Sequence, residues 1–488
     1  LIAGISGEVK CRIILTYDDL RARAIADEFR LYDENTYYFP AKDLIFFQSD
    51  INSNDLIRDR IRTYRGLLEK EEVTVVTTFA ALMTRQLPVD NDMAVINLKA
   101  GGTVDSSKLA RKLTFLGYER CAQAQSPGQF AIRGDIIDIY DLTEDNPYRI
   151  EVWGDDIESI RSFDSYSQRS IEQLESISVY PASEMLMDDE RLGQGLDRIM
   201  KDAESRSAKL KKEFRTEEGA RVLADANRLK EDLTEIGRKL NLESYLLYFY
   251  PDETLSFPAW IRKLFGDDVR FFADEPVRCI GQGKAVEMEF RESITSRLEK
   301  GYALPGQADL IFGTGLIMEE MESCGLVGLS VFDSSKEGFT PVYKYDIGGR
   351  NVQSYNGNAE LLEKDLLSFR KRGYRVVIFS QSRTRADRMR QELEKDGIPC
   401  VYTEEPGDSF PEGSITIMHG YVERGFEYPM LGFAVIAEND IFGGRIRKKK
   451  KKRSSTYTGS RIAALEDLHP GDYVVHETYG LGVYKGIE

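Results

Sequence analysis

Three groups of residues in this sequence have types and spacings that chemistry can use. Gly4-Ile5-Ser6-Gly7-Glu8-Val9-Lys10-Cys11 lines up with the phosphate-loop pattern G-x-x-x-x-G-K-[ST]. Gly4 and Lys10 match, with Gly7 between them. Val9 stands where the second glycine belongs, and Cys11 where the Ser/Thr belongs. In a working loop, glycine lets backbone N–H groups close round a phosphate, and the hydroxyl ligates magnesium. Valine is β-branched and disfavours the conformations glycine supplies. A thiol is a poor ligand for magnesium, which prefers hard oxygen donors. The segment is either a decayed nucleotide site, the reading we favour, or an ordinary strand-turn. Neither reading hydrolyses a nucleotide.

The apolar run Val269–Phe272 is followed by Ala273-Asp274-Glu275. A strand ending in Asp-Glu has the look of an acidic magnesium site. Beside a failed phosphate loop it is a relic or a coincidence. The third group lies in Pro127–Asp164: Arg133, Arg149 and Trp153, placed by the pattern at equivalent points of adjoining strands. Arginine presents a planar, always charged fork suited to carboxylates. An exposed aromatic between two arginines is a typical interface anchor. This chemistry is recognition, with nothing nearby that cuts a bond. The plain alternatives are a core Trp153, as large aromatics are mostly buried, and arginines paired with Asp135, Glu151 or Asp155. Such surface pairs are worth ~0–1 kcal/mol each.

The elements that must position these residues follow an α/β rhythm. Cys11–Tyr17, Leu44–Phe47 and Val73–Thr78 read as strands. Leu20–Leu31, Asn54–Glu69 and Phe79–Leu87 read as helices. Strands alternating with helices imply a parallel sheet with crossovers. Between 105 and 183 the rhythm breaks. An amphipathic helix with Leu109, Leu113 and Leu116 on one face precedes strand-like runs around a turn at Thr143–Pro147, which suggests an inserted α+β module. Arg191–Leu242 is charged and helix-prone, with no chemistry in it. A second small α/β unit follows, with helices at Asn358–Gly373 and Thr384–Lys395 and strands at Arg375–Ser380, Ile398–Tyr402, Ser414–Met418 and Gly432–Ala437. At the C-terminal end Tyr473–His476 reads as a strand, Tyr479–Gly482 as a turn and Val483–Ile487 as another strand, the opening of a β-barrel-like domain.

Composition narrows the classes. The chain has 488 residues and a net charge of −16, which argues against a body that wraps nucleic acid. Eight of the nine residues from Arg445 to Arg453 are basic, including Lys448, Lys449, Lys450, Lys451 and Lys452. That run is a solvated tether or a phosphate contact. Five scattered cysteines without a CxxC pair point to a reducing cytoplasm. The three histidines lack zinc-ligand spacing, so no metal site is expected. No apolar stretch approaches a membrane span. The sequence begins at Leu1 without an initiator Met or a signal pattern, and is expected to be a piece of a longer protein.

Three stretches in this order resemble the bacterial transcription-repair coupling factor family. They are FAIRGDIIDIY…PYRIEVWGDDIESIRSFD…SQRS (Phe130–Ser170), shared with the excision-repair protein UvrB, then GFEYPMLGFAVIAENDIFG (Gly425–Gly443), then DLHPGDYVVHETYGLGVYKGIE (Asp467–Glu488). The resemblance implies a multidomain α/β chain: a degenerate P-loop/RecA-like, UvrB-type fold with an inserted α+β module. Residues 1–104 and 184–340 would be UvrB-like, and 105–183 would be the module that binds UvrA through Arg133, Arg149 and Trp153. Residues 341–445 would be a small α/β domain and 446–463 a basic flexible linker. Residues 464–488 would begin the domain that contacts the RNA polymerase β subunit. The family's motor uses ATP and magnesium and walks on double-stranded DNA, but it lies outside this stretch, so no cofactor is implied here. The expectation is a cytoplasmic, monomeric, non-catalytic adaptor. The alternative is a UvrB-like ATP-dependent helicase. Val9 and Cys11 weigh against it, as does the short Tyr37–Asn54 segment where UvrB carries a long Tyr-rich hairpin.

Overall fold

The computed structural model describes residues 2, 9–30, 32–42, 54–87, 95–235, 242–331, 339–404, 410–443, 473–476 and 480–483. Contacts divide the chain into two units: the first runs to Thr340 and takes in the strand Tyr473–His476, and the second begins at Pro341.

The first unit is built on a parallel sheet. Its strands are β1 (Cys11–Thr16), β2 (Thr36–Phe39) and β3 (Val73–Thr78), joined by β12 (Val269–Asp274) and β13 (Leu326–Leu329) in the order β13-β12-β1-β3-β2. Residues 1–104 and 184–340 therefore share one sheet. Every residue of β3 is buried, as befits a central parallel strand covered on both faces. Ile13, Leu15 and Val75 pack into one core, and Ile14 and Val76 into another with Ala22 and Ala26 of α1 (Asp19–Phe29). Helix α2 (Asn54–Glu69) covers the first face through Ile61, Tyr64 and Leu67. Val73–Thr78 and Asn54–Glu69 have the bounds expected from the sequence. The expected strand Leu44–Phe47 and residues 43–53 of the Tyr37–Asn54 segment lie outside the described residues.

The module begins with β4 (Ile96–Lys99) and α4 (Ser106–Phe115), whose first turn is capped by Asp105 accepting from Ser107 N and Lys108 N at 2.9 Å. Six further strands make one sheet: β5 (Glu119–Arg120), β6 (Gln129–Arg133), β7 (Ile136–Tyr140), β8 (Tyr148–Trp153), β9 (Asp156–Phe163) and β10 (Ser170–Leu174). Its last strand, β11 (Ser176–Val179), pairs with β4. One face of the sheet packs Phe130, Ile137, Ile139, Ile150 and Ile160 against Leu109, Leu113 and Leu116. The sequence reading missed two turns here. Gly134 and Gly154 each open a two-residue hairpin loop with positive φ (59° and 63°), as II′-type connections require. Two strand-like runs are thus four strands.

Helix α2 also holds the module in place. Arg58, Arg62 and Arg65, at i, i+4 and i+7, reach the loop after β7. Arg62 donates to Thr143 O at 2.6 and 2.8 Å, Arg65 pairs with Glu144 at 2.7 Å and Arg58 with Asp145 at 2.5 Å. Inside this contact Arg60, fully buried, bonds Glu184 at 2.5 Å, and Lys42 bonds the same carboxylate at 2.8 Å. Burial alone would push the Glu184 pKa up. Arg60 and Lys42 outweigh it and hold the carboxyl well below the usual range.

The long charged stretch forms two helices, α5 (Asp189–Lys212) and α6 (Thr216–Glu235). They pack on α8 (Pro276–Lys300) through Ile199, Ala203, Leu210, Val222, Phe290 and Ile294.

The second unit is a mixed sheet. Strands β15 (Arg375–Ser380), β16 (Val401–Thr403), β17 (Ile415–His419) and β19 (Phe433–Ala437) are parallel, and β14 (Arg350–Asn351) and β18 (Phe426–Tyr428) extend one edge antiparallel. His419 ends β17 exposed to solvent. Near the C-terminal end, Tyr473–His476 is a strand as expected. Gly480–Val483 pairs with it as a second strand where a turn was expected, and 484–488 lie outside the described residues.

Candidate protein-docking site

The face of the module sheet opposite α4 carries the polar side chains. Pairing places Asp138 of β7 directly across from Arg149 of β8, and diagonally from Arg133 at the end of β6. Asp138 is buried and accepts from both arginines. Arg149 is bidentate, with Nε–Oδ1 2.7 Å and Nη2–Oδ2 2.9 Å, and Arg133 Nη2 lies 2.5 Å from Oδ2. The two arginines therefore stand on β6 and β8 with β7 between them, not on adjoining strands. Their partner is a buried aspartate, not Asp135, Glu151 or Asp155. The missed Gly134-Asp135 turn hid this. Read as a hairpin, it sets the register that brings Asp138 between the two.

The arginines are not equivalent. The Arg149 side chain is 11% exposed and that of Arg133 is 44% exposed. Arg149 also donates to Gln168 Oε1 at 2.7 Å and lies 4.2 Å from the centroid of the Phe163 ring. Gln168, itself at φ 58°, is held by the Asp164–Arg169 loop. Hydrogen bonding to Asp138 raises the Arg149 pKa, so its charge is permanent. Arg149 is a fixed brace. Arg133 is the cation left facing solvent.

Trp153 ends β8 on the same face as Arg149 and Glu151 and is 73% exposed, which excludes a core role. Tyr166, in the Asp164–Arg169 loop, is also exposed. Glu151 accepts from Arg161 at 2.6 Å and Ser159 at 2.7 Å. The sequence offered a signal for Asp138, an acid inside an isoleucine run, and none for Gln168 or Phe163.

The other candidate residues are placed differently from the phosphate-loop pattern. A phosphate loop follows a strand and opens a helix. Lys10 and Cys11 instead lead into β1, with Cys11 fully buried as its first residue. Burial pushes its thiol far above the ordinary range. Lys10 is exposed and 3.6 Å from Asp268, and Val9 is buried. Gly4 and Gly7 lie outside the described residues. At the carboxyl ends of the parallel strands, where such folds bind ligands, Asp274 accepts from Thr16 Oγ1 at 3.2 Å and from Arg21 Nη2 at 3.1 Å. Glu275, with φ 58°, accepts from Val331 N at 3.0 Å. The acid pair is engaged by the chain's own groups. Among the described residues no cluster of three or more His, Cys, Asp or Glu could hold a metal. No described helix is long and apolar enough to cross a membrane. Lys448–Lys452 lie outside the described residues.

Two family models and several relatives match this chain. The UvrB interaction domain family matches residues 96–185, and the CarD-like/TRCF RID domain family matches residues 468–488. The transcription-repair-coupling factor of Bacillus subtilis (strain 168) is 31% identical over 505 residues, covering 100% of this chain. The chain is a homologue of the transcription-repair-coupling factors. It corresponds to their N-terminal portion and spans 42% of the length of the Bacillus protein. The factors of Staphylococcus aureus (strain USA300) and Staphylococcus epidermidis (strain RP62A) are each 25% identical, over 93% and 98% of this chain and 38% and 40% of their own lengths. In this coupling-factor homologue the Arg133, Asp138, Arg149 and Trp153 face falls inside the matched UvrB interaction domain.

Proposed function

We propose that this chain is the non-catalytic adaptor part of a transcription-coupled repair factor, and that its module recruits UvrA. The observation that carries the reading is the exposed Trp153 beside an arginine pair clamped on buried Asp138, within a UvrB interaction domain. Trp153 supplies apolar contact area and Arg133 a preorganised fork for a partner carboxylate. Arg149 acts through Asp138, fixing the rotamer of Arg133. The segment from Asp467 would bring the same chain to RNA polymerase. Double-stranded DNA, ATP and magnesium belong to the motor of the full-length relatives.

Two outcomes test this. Trp153→Ala is expected to weaken UvrA binding at least tenfold in a surface-binding assay while leaving the unfolding midpoint within error, as an exposed interface anchor should. Unchanged affinity would remove Trp153 from the interface. Titration of this chain with ATP and magnesium is expected to give no saturation below millimolar concentration, because Lys10 and Cys11 open a strand and Arg21 occupies Asp274. Micromolar binding by calorimetry would refute the adaptor reading in favour of a nucleotide-dependent one.

A further inference from the structure

The turn joining α5 to α6 carries a side chain that folding does not explain. Helix α5 ends in a Schellman motif. Phe214 N donates to Lys211 O at 3.1 Å and Arg215 N to Leu210 O at 2.9 Å. The residue between cap and return in such a motif adopts left-handed φ and is usually glycine. Here it is Phe214, at φ 64°. A bulky residue is disfavoured there. Its ring is 94% exposed, so no burial offsets the cost. Strain held at an exposed aromatic marks a position kept for something outside the fold.

The surroundings name the chemistry. Lys209, Lys211 and Lys212 precede the ring, all exposed and without an ion-pair partner among the described residues. The same end of the hairpin meets the C-terminus of α8. Arg206 donates to Leu298 O at 2.9 Å, Arg221 to Lys300 O at 2.6 Å, and Arg215 to Glu299 O between them. Three guanidinium groups thus satisfy three successive terminal carbonyls, which carry no formal charge; Arg215 also pairs with Glu218 at 3.3 Å, whereas Arg206 and Arg221 spend their hydrogen bonds here on carbonyls. Tyr302, with Arg221 4.5 Å over its ring, is a second half-exposed aromatic at this end. Lys300 adds a further exposed cation. In the sequence Glu213, Glu217, Glu218 and Glu299 are interleaved with these cations, Glu218 is taken up by Arg215, and Asp225, one turn beyond Arg221, pairs with Arg228. A net positive end with isolated exposed rings stands on a chain of net charge −16.

We propose that this tip binds single-stranded nucleic acid, with lysines on phosphates and Phe214 stacked on an unpaired base. A protein partner would ask for a continuous apolar patch, whereas Phe214 is set among lysines. Single-strand binders combine these two elements, a cationic track and an aromatic platform.

The test uses the full chain with Lys448–Lys452 replaced by Gln throughout, so that the basic run does not mask the tip. Fluorescence anisotropy is read with a labelled 20-nucleotide oligothymidylate and with an abasic strand of the same length. Phe214→Gly is expected to weaken oligothymidylate binding about 5- to 10-fold, the effect of losing one stacked base. It should leave abasic-strand binding unchanged and not lower Tm, since glycine suits the left-handed position. The K209Q/K211Q/K212Q variant should weaken both strands and flatten the salt dependence. Equal affinity of Phe214→Gly and the parent for oligothymidylate would overturn the proposal.

Discussion

Asp138→Ala is expected to destabilise the module by about 3–5 kcal/mol, the cost of breaking a buried ion pair from one side. The side chain is 1% exposed and neutralises two arginines, one of them nearly buried. Its loss leaves Arg149 with the hydrogen bond to Gln168, the Phe163 ring and the field of Glu151, but without its bidentate carboxylate. Against a typical domain stability of roughly 5–15 kcal/mol, that is enough to populate open forms of the sheet. Urea unfolding followed by module fluorescence measures it, and a change under about 1 kcal/mol would show that the arginines find solvent instead. The contrast with Trp153→Ala is informative. Both variants should lose UvrA, one by disordering the face and the other by removing a contact, and only the first should move the unfolding midpoint. Asp138→Asn keeps the side-chain shape and one acceptor oxygen but loses the charge and turns an NH2 donor toward an arginine, so it should fall between.

A second large effect is expected at Glu184. Replacing it by Gln leaves Arg60, with no exposed side-chain surface, and Lys42, at 6%, without their shared carboxylate. The expected loss is again about 3–5 kcal/mol, in part retained by Pro40 O and Gln86 Oε1, which accept from Arg60 at 2.8 and 3.0 Å. The pH dependence has a definite sign. The folded-state pKa lies below its unfolded value, so the stabilisation is complete above the usual glutamate range and is lost as pH falls through the folded value. The gap in unfolding free energy between the parent and Glu184→Gln should therefore be widest at neutral pH and close on acidification. A gap that stays constant between pH 7 and pH 3 would mean that the carboxylate is not held by Arg60 and Lys42.

The α/β parts were legible because their signals are local. Asn54–Glu69 keeps helical apolar spacing without a breaker, and Val73–Thr78 and Arg375–Ser380 are short runs rich in β-branched residues. The site was half legible. Arg133, Arg149 and Trp153 stood out by type, yet their geometry depended on Gly134-Asp135, a loop short enough to be read as part of a strand. Once that turn is placed, pairing alone brings Asp138 to Arg149. Gln168 reaches Arg149 from a loop, and no periodicity foretells that. Lys10 matched a motif by residue type, with Cys11 in its Ser/Thr place, but the two lead into a strand rather than a helix, and a motif's meaning lies in the element that follows it. Gly480–Val483 looked like a turn because of its glycines, while the neighbouring strand Tyr473–His476 recruits it.

The arginines of α2 give the recruitment face a mechanical character. Arg58, Arg62 and Arg65 hold the loop that follows β7, and Arg60 locks Glu184 just past the module's last strand. The module is bolted to the parallel sheet at both of its flanks rather than hung from it by a swivel. A partner bound at Trp153, as proposed, would then be carried in one orientation, and a pull or twist applied to the sheet would arrive at it undamped.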